Sequence, residues 1–180
     1  YGGKGSTSAN CTSACPFGKF SVAGQSTCEL CAAGRYGAEE GISTIDCTAA
    51  CAAGDYSTAG SAACQQCNAG RYGSGASETA ECAGACAAGR YGGKGSTSAN
   101  CTSACPVGRF SVAGQSTCTS CGAGKYGETE GLTTSDCSGE CGAGNYSTDG
   151  LPACKQCNAG RYGSGGSTVA ECAGSCDAGR

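Results

Sequence analysis

Large apolar side chains in this chain follow neither a helical nor a long-strand period. Apart from Phe17, one aromatic ring recurs every 16 to 20 residues, in a polar and glycine-rich background. Each ring closes the phrase C-x-x-G-x-[Tyr/Phe], which begins at Cys15, Cys31, Cys51, Cys67, Cys86, Cys105, Cys121, Cys141, Cys157 and Cys176. The rings are Phe20, Tyr36, Tyr56, Tyr72, Tyr91, Phe110, Tyr126, Tyr146 and Tyr162; the tenth phrase reaches Arg180 before its ring, and Tyr1 is the counterpart of that ring. A second cysteine follows each of the first nine after 12, 14 or 15 intervening residues. Within the loop a further glycine, such as Gly24, Gly41, Gly60, Gly95, Gly131, Gly150 or Gly166, divides two short β-prone arms rich in Ser and Thr. This pattern predicts a stapled β-hairpin, with Gly18 and its counterparts in left-handed or closely approached backbone and Gly24 in the turn. Helix is excluded, because no window carries a 3.6-residue apolar period and glycine interrupts each one.

A longer period overlies the first. Sliding the chain by 90 residues aligns every cysteine with a cysteine and leaves 65 of 90 positions identical; Tyr1–Asn10 and Tyr91–Asn100 are the same decapeptide. Residues 1–90 and 91–180 therefore read as two copies of one super-repeat. Each holds five modules, the first split by the window edge, with loops in the order short, long, short, long, long. Self-similarity of this kind predicts a small disulfide-rich β fold, an elongated solenoid-like array of stapled β-hairpin modules. The ring at a fixed offset has two readings: a thin continuous core, or an exposed stacking ladder for a ligand.

Composition decides what holds such modules together. Twenty cysteines and 34 glycines occur with no Trp, Met or His, so there is too little apolar volume for an ordinary core and covalent staples must replace it. A disulfide closing a loop of this size contributes on the order of 3 kcal/mol. One pairing rule must work in every module. Bonds between cysteines three or four residues apart would staple nothing, whereas first-to-second bonds close loops at ordinary disulfide geometry. The predicted ladder is Cys15–Cys28, Cys31–Cys47, Cys51–Cys64, Cys67–Cys82, Cys86–Cys101, Cys105–Cys118, Cys121–Cys137, Cys141–Cys154 and Cys157–Cys172. Cys11 and Cys176 are left over, and the repeat predicts an inter-segment disulfide from Cys176 to the Cys11 equivalent of a following segment. Zinc is not expected, since the second C-x-x-C comes 32 residues after the first with a C-x-x-x-C between them and no histidine anywhere, and thioredoxin-like redox chemistry lacks its helix and its βαβ setting.

Twenty paired thiols imply an extracellular or cell-surface location. The net charge of −3 comes from 11 basic and 14 acidic residues scattered singly, which offers neither a nucleic-acid stripe nor a membrane-binding helix, and no apolar run approaches a membrane span. Sequons at Asn10, Asn100 and Asn145 are candidate glycosylation sites, the first two with cysteine in the middle position. Glu39–Glu40 is read as a solvated turn rather than a calcium site, because its counterpart is Thr129–Glu130 and no spaced ligand loop surrounds it. With no histidine, no nucleophile elbow and no phosphate loop, neither an enzyme nor a cofactor is expected.

The phrase C-P-x-G-x-[Tyr/Phe]-S…G…S-x-C-x-x-C, complete at Cys15–Cys31 and looser elsewhere, resembles the ephrin-receptor-like cysteine-rich repeat, a relative of tumour-necrosis-factor-receptor modules. The resemblance spans essentially the whole chain and implies extended extracellular rods of small β modules, each with a first-to-second cysteine bond. The proline of that motif is kept here only at Pro16 and Pro106. Near-exact long repetition suits a structural role, the repeating segment of a filament, stalk or surface fibre whose partners are copies of itself head to tail, with covalent glycans. The alternative is a receptor or adhesin ectodomain binding a protein or glycan.

Overall fold

The structure, a computed structural model, describes residues 13–178. Among them lie eighteen strands of two residues each, paired into nine antiparallel hairpins, and no helix. In the first, β1 (Lys19–Phe20) pairs with β2 (Glu29–Leu30), Phe20 facing Glu29 and Lys19 facing Leu30. The rule is the same in every module. The strand that carries the ring pairs with the two residues just before the next phrase. In short modules Tyr56 faces Gln65, Phe110 faces Thr119 and Tyr146 faces Lys155. In long modules the facing residue is small: Ala49 for Tyr36, Gly84 for Tyr72, Ser103 for Tyr91, Gly139 for Tyr126 and Gly174 for Tyr162.

Short modules end in C-x-x-C and long ones in C-x-x-x-C, and the backbone shows how the extra residue is absorbed. The second cysteine of every long module is left-handed: φ is 55° at Cys47, 51° at Cys82, 48° at Cys101, 54° at Cys137 and 51° at Cys172. The next amide then bonds the ring residue's carbonyl, as in Thr48 to Tyr36 (2.9 Å), Ala83 to Tyr72 (2.9 Å) and Ser138 to Tyr126 (2.8 Å). This is a one-residue bulge that returns the strand to register. A left-handed non-glycine residue costs roughly 1–2 kcal/mol, and here the disulfide and the turn before it hold the conformation, Cys47 donating its amide to Thr44 at 3.1 Å.

Nine disulfides staple the hairpins: Cys15–Cys28, Cys31–Cys47, Cys51–Cys64, Cys67–Cys82, Cys86–Cys101, Cys105–Cys118, Cys121–Cys137, Cys141–Cys154 and Cys157–Cys172. The first cysteines, rather than the rings, form the driest positions, with Cys31, Cys67, Cys86, Cys105 and Cys121 at 0 % exposure. Phe20 is buried at 4 %, most tyrosines are half-buried, and Tyr162 is 55 % exposed. The chain divides into two compact units, one running up to Ala85 and including Gly93–Ala99, the other comprising Cys86–Gly92 and the residues from Asn100 onward.

Inside each unit, consecutive modules are joined through backbone. The phrase glycine donates its amide to the residue after the next module's ring, Gly18 to Gly37 (2.9 Å) and Gly108 to Gly127 (2.8 Å). Its carbonyl accepts from the next module's first cysteine, Cys31 to Gly18 (2.9 Å) and Cys121 to Gly108 (2.8 Å). The first cysteine's carbonyl in turn accepts from the next module's mid-loop residue, Gly41 to Cys15 (2.7 Å) and Gly131 to Cys105 (2.8 Å). Packing reaches one module further: a Cβ on Gly18 would land on the carbonyl oxygen of Gly60, and one on Gly108 on that of Gly150, two modules on.

Candidate functional site

The chemistry on offer is that of staples, clamps and one cleft. In the residue after the ring, short modules carry serine and long modules glycine. Ser57, Ser111 and Ser147 are buried, and their hydroxyls donate to Arg35 O (2.7 Å), Arg90 O (2.8 Å) and Lys125 O (2.6 Å) of the module before. A Cβ at the long-module glycines would instead crowd sulfur, 3.0 Å from Cys31 Sγ at Gly37 and 2.9 Å from Cys121 Sγ at Gly127. The hydroxyl thus ties a short module to its predecessor, and the glycine leaves room for the disulfide.

Each long module also carries a cation just before its ring: Arg35, Arg71, Arg90, Lys125 or Arg161. These side chains reach the backbone carbonyl near the left-handed cysteine: Arg35 Nε to Asp46 O at 2.9 Å, Arg71 Nε to Glu81 O at 3.1 Å, Arg161 Nε to Glu171 O at 2.7 Å, and Arg90 Nε to Asn100 O. Three add an ion pair, Arg35–Asp46 (2.7 Å), Arg71–Glu81 (2.8 Å) and Lys125–Asp136 (2.7 Å). The hydrogen bond from Lys125 holds the Asp136 carboxyl below the usual carboxylate range, and the same bond raises the Lys125 ammonium above its ordinary value. Sequence reasoning passed over these clamps, although the pairing of a basic residue before the ring with Asp, Glu or Asn near the second cysteine of long loops was the signal for them.

The candidate glycosylation sites sit differently from one another. Asn100 is exposed beside the left-handed Cys101, and its carbonyl accepts from Arg90. Asn145 lies in a strand with its amide donated to Ala143 O at 3.2 Å, and the serine of its sequon, Ser147, is buried. Asn10 and Cys11 lie outside the described residues. Cys176 is the one cysteine among the described residues without a disulfide, and it is exposed. No cluster of three metal-ligating side chains occurs among the described residues.

One cavity of about 240 Å³ opens in the Cys105–Cys118 module, lined by Tyr91, Pro106, Arg109, Thr117 and Cys118. Arg109 donates Nη1 to Cys118 O at 3.3 Å and makes no ion pair among the described residues. The site combines an aromatic face, a proline, a hydroxyl and an uncompensated cation, a set suited to a carboxylate carried beside an apolar group.

No family model matches the chain, and no curated protein is significantly similar to it. What is defined is a class: a disulfide-rich protein of tandem β-hairpin modules, whose dense ladder of staples fits maturation in an oxidising, extracellular or secretory compartment.

Proposed function

We propose that this chain is a repeating segment of an extracellular structural protein, an elongated solenoid-like array that serves as filament, stalk or surface fibre. The observation that supports it best is the nature of the joints. Modules are coupled by backbone amides, carbonyls and glycines, and both 90-residue copies use the same bonds, as Gly18 to Gly37 and Gly108 to Gly127 illustrate. A joint of that kind does not depend on unique side chains and can be repeated without limit. Head-to-tail continuation would bond Cys176 to the Cys11 equivalent of the following segment, and exposure leaves the Cys176 thiol accessible to such a partner. Glycans at Asn100 would project from an exposed loop.

Images of native material test the reading: fibres or stalks are expected, with a repeat set by the 90-residue period, and discrete compact particles would overturn it. Non-reducing peptide mapping should recover a peptide joining the Cys176 and Cys11 sequences. A ligand-binding ectodomain of the ephrin-receptor-like type is the second reading, favoured by the Tyr91–Arg109 cleft.

A further inference from the structure

We infer that the cleft formed by Tyr91, Pro106, Arg109 and Thr117 is a self-association surface, which receives carboxylates from the acidic stretch of a second copy of this chain. Three observations carry this. The first is how identity is distributed. Residues 1–28 and 91–118 match at 26 of 28 positions, against 39 of 62 for residues 29–90 and 119–180. The two differences are Phe17 for Val107 and Lys19 for Arg109, which keep an apolar and a basic residue.

The hairpin itself does not require that identity. The other short module changes at its exposed turn, Ala59 to Asp149 and Ala62 to Pro152, while keeping its fold. In the cleft module the exposed run of Val112, Ala113 and Ser116–Thr117 has the same residues as its counterpart 90 positions earlier. The same module also exposes apolar side chains, Val107 at 44 % and Val112 at 48 %, with Phe17 and Val22 at the matching positions of the other copy. A surface retained beyond what folding needs is retained for contact.

The third observation names the occupant. Residues 1–28 and 91–118 contain two basic residues each and no acid, so all 14 acids fall in the two intervening stretches, which carry net charges of −4 and −3. Within them Glu39, Glu40, Glu128 and Glu130 are exposed and have no ion pair among the described residues. The sequence thus alternates stretches of net positive and net negative charge with one period, so the basic stretch of one copy is complementary to the acidic stretch of another. Each contact is weak alone, and repetition adds them. This inference rests on the fibre reading and gives it lateral order.

Sedimentation velocity on the oxidised 180-residue chain tests it. Association is expected at about 20 mM salt and should weaken by about tenfold or more near 500 mM, where screening is short-ranged. The pair Lys19→Glu and Arg109→Glu should weaken it about tenfold or more, whereas Lys19→Arg with Arg109→Lys should leave it unchanged. A second chain bearing Glu39→Lys, Glu40→Lys, Glu128→Lys and Glu130→Lys should restore binding to the charge-reversed chain, which rules out misfolding as the cause. A monomer at every salt concentration would overturn the proposal, as would association indifferent to Arg109, or binding of a sulfated or uronic-acid polysaccharide through Arg109 without self-association. Salt-sensitive pairing in a protein whose native form shows no fibres would sustain the surface and sink the fibre reading instead.

Discussion

Left-handed backbone separates two kinds of glycine in this chain. Gly108 has φ of 75° and a Cβ there would land on the carbonyl oxygen of Gly150, whereas Gly24 has φ of 84° and nothing within 4 Å of the same position. Gly108→Ala is expected to lower local stability by about 2–4 kcal/mol, from backbone strain and overlap together, and Gly24→Ala by about 1–2 kcal/mol from strain alone. Amide hydrogen exchange around Cys105–Cys121 and Cys15–Cys28 reads the two values, and equal losses would show that the close approach to Gly150 is absent in solution. The buried serines carry a second expectation. Ser111→Ala leaves the Arg90 carbonyl without its hydroxyl donor at 2.8 Å and should cost about 1–2 kcal/mol, while Ser116→Ala at an exposed position should stay within about 0.5 kcal/mol. Rings divide in the same way: Tyr72→Ala removes a half-buried side chain packed over Gly84 and should cost roughly 2 kcal/mol, and Tyr162→Ala, at a ring 55 % exposed, distinctly less.

Two-residue strands cannot hold a hairpin alone, since an isolated two-stranded hairpin is marginal in water even when its strands are longer. Each module therefore depends on its disulfide, and each long module on a cationic clamp as well. The Lys125–Asp136 clamp has a defined pH window. Asp136 has a lowered pKa when folded, so its contribution is present above the ordinary carboxylate value near pH 4 and lost as pH falls through the lowered one. Lys125 has a raised pKa when folded, so its contribution is present below about pH 10 and lost as pH rises through the raised value. Carboxyl-carbon NMR titration should place Asp136 below ordinary exposed aspartates, and Lys125→Gln should return it to their range. No change on that substitution would mean that the ion pair does not persist in solution.

Because backbone joints reach the next module and glycine packing reaches the one after, damage should spread by a fixed distance. Replacing Cys105 and Cys118 together by serine removes one staple, worth about 2–4 kcal/mol. Loss of exchange protection is expected in that module, in Cys86–Cys101 before it, and in Cys121–Cys137 and Cys141–Cys154 after it, the modules it contacts. Deprotection confined to the Cys105–Cys118 loop would show that modules are independent beads, and the coupled-array reading would fail with it. Full reduction should release every hairpin, since among the described residues the buried apolar side chains are cysteines apart from Phe20.

Hairpins, phrase glycines and the absence of helix were all legible in the chain, because each follows from local chemistry: glycine at a left-handed position, a ring on a short strand, and cysteines at loop-closing separation. The spacing of C-x-x-x-C against C-x-x-C was visible too, yet its meaning was not, since Cys47 and its counterparts become left-handed only when a partner strand fixes the register they must rejoin. The same holds for serine or glycine after the ring, which differ by what the adjacent module places against them, a carbonyl in one case and a sulfur in the other. Of the two readings of the rings, a thin core or an exposed ladder, neither holds for every module: Phe20 is buried, most tyrosines are half-buried and Tyr162 is exposed, while the first cysteines are the driest positions. Contacts between modules have no local signature, so the cleft at Tyr91 and Arg109 and the reach of Gly108 to Gly150 emerged only when the modules were brought together.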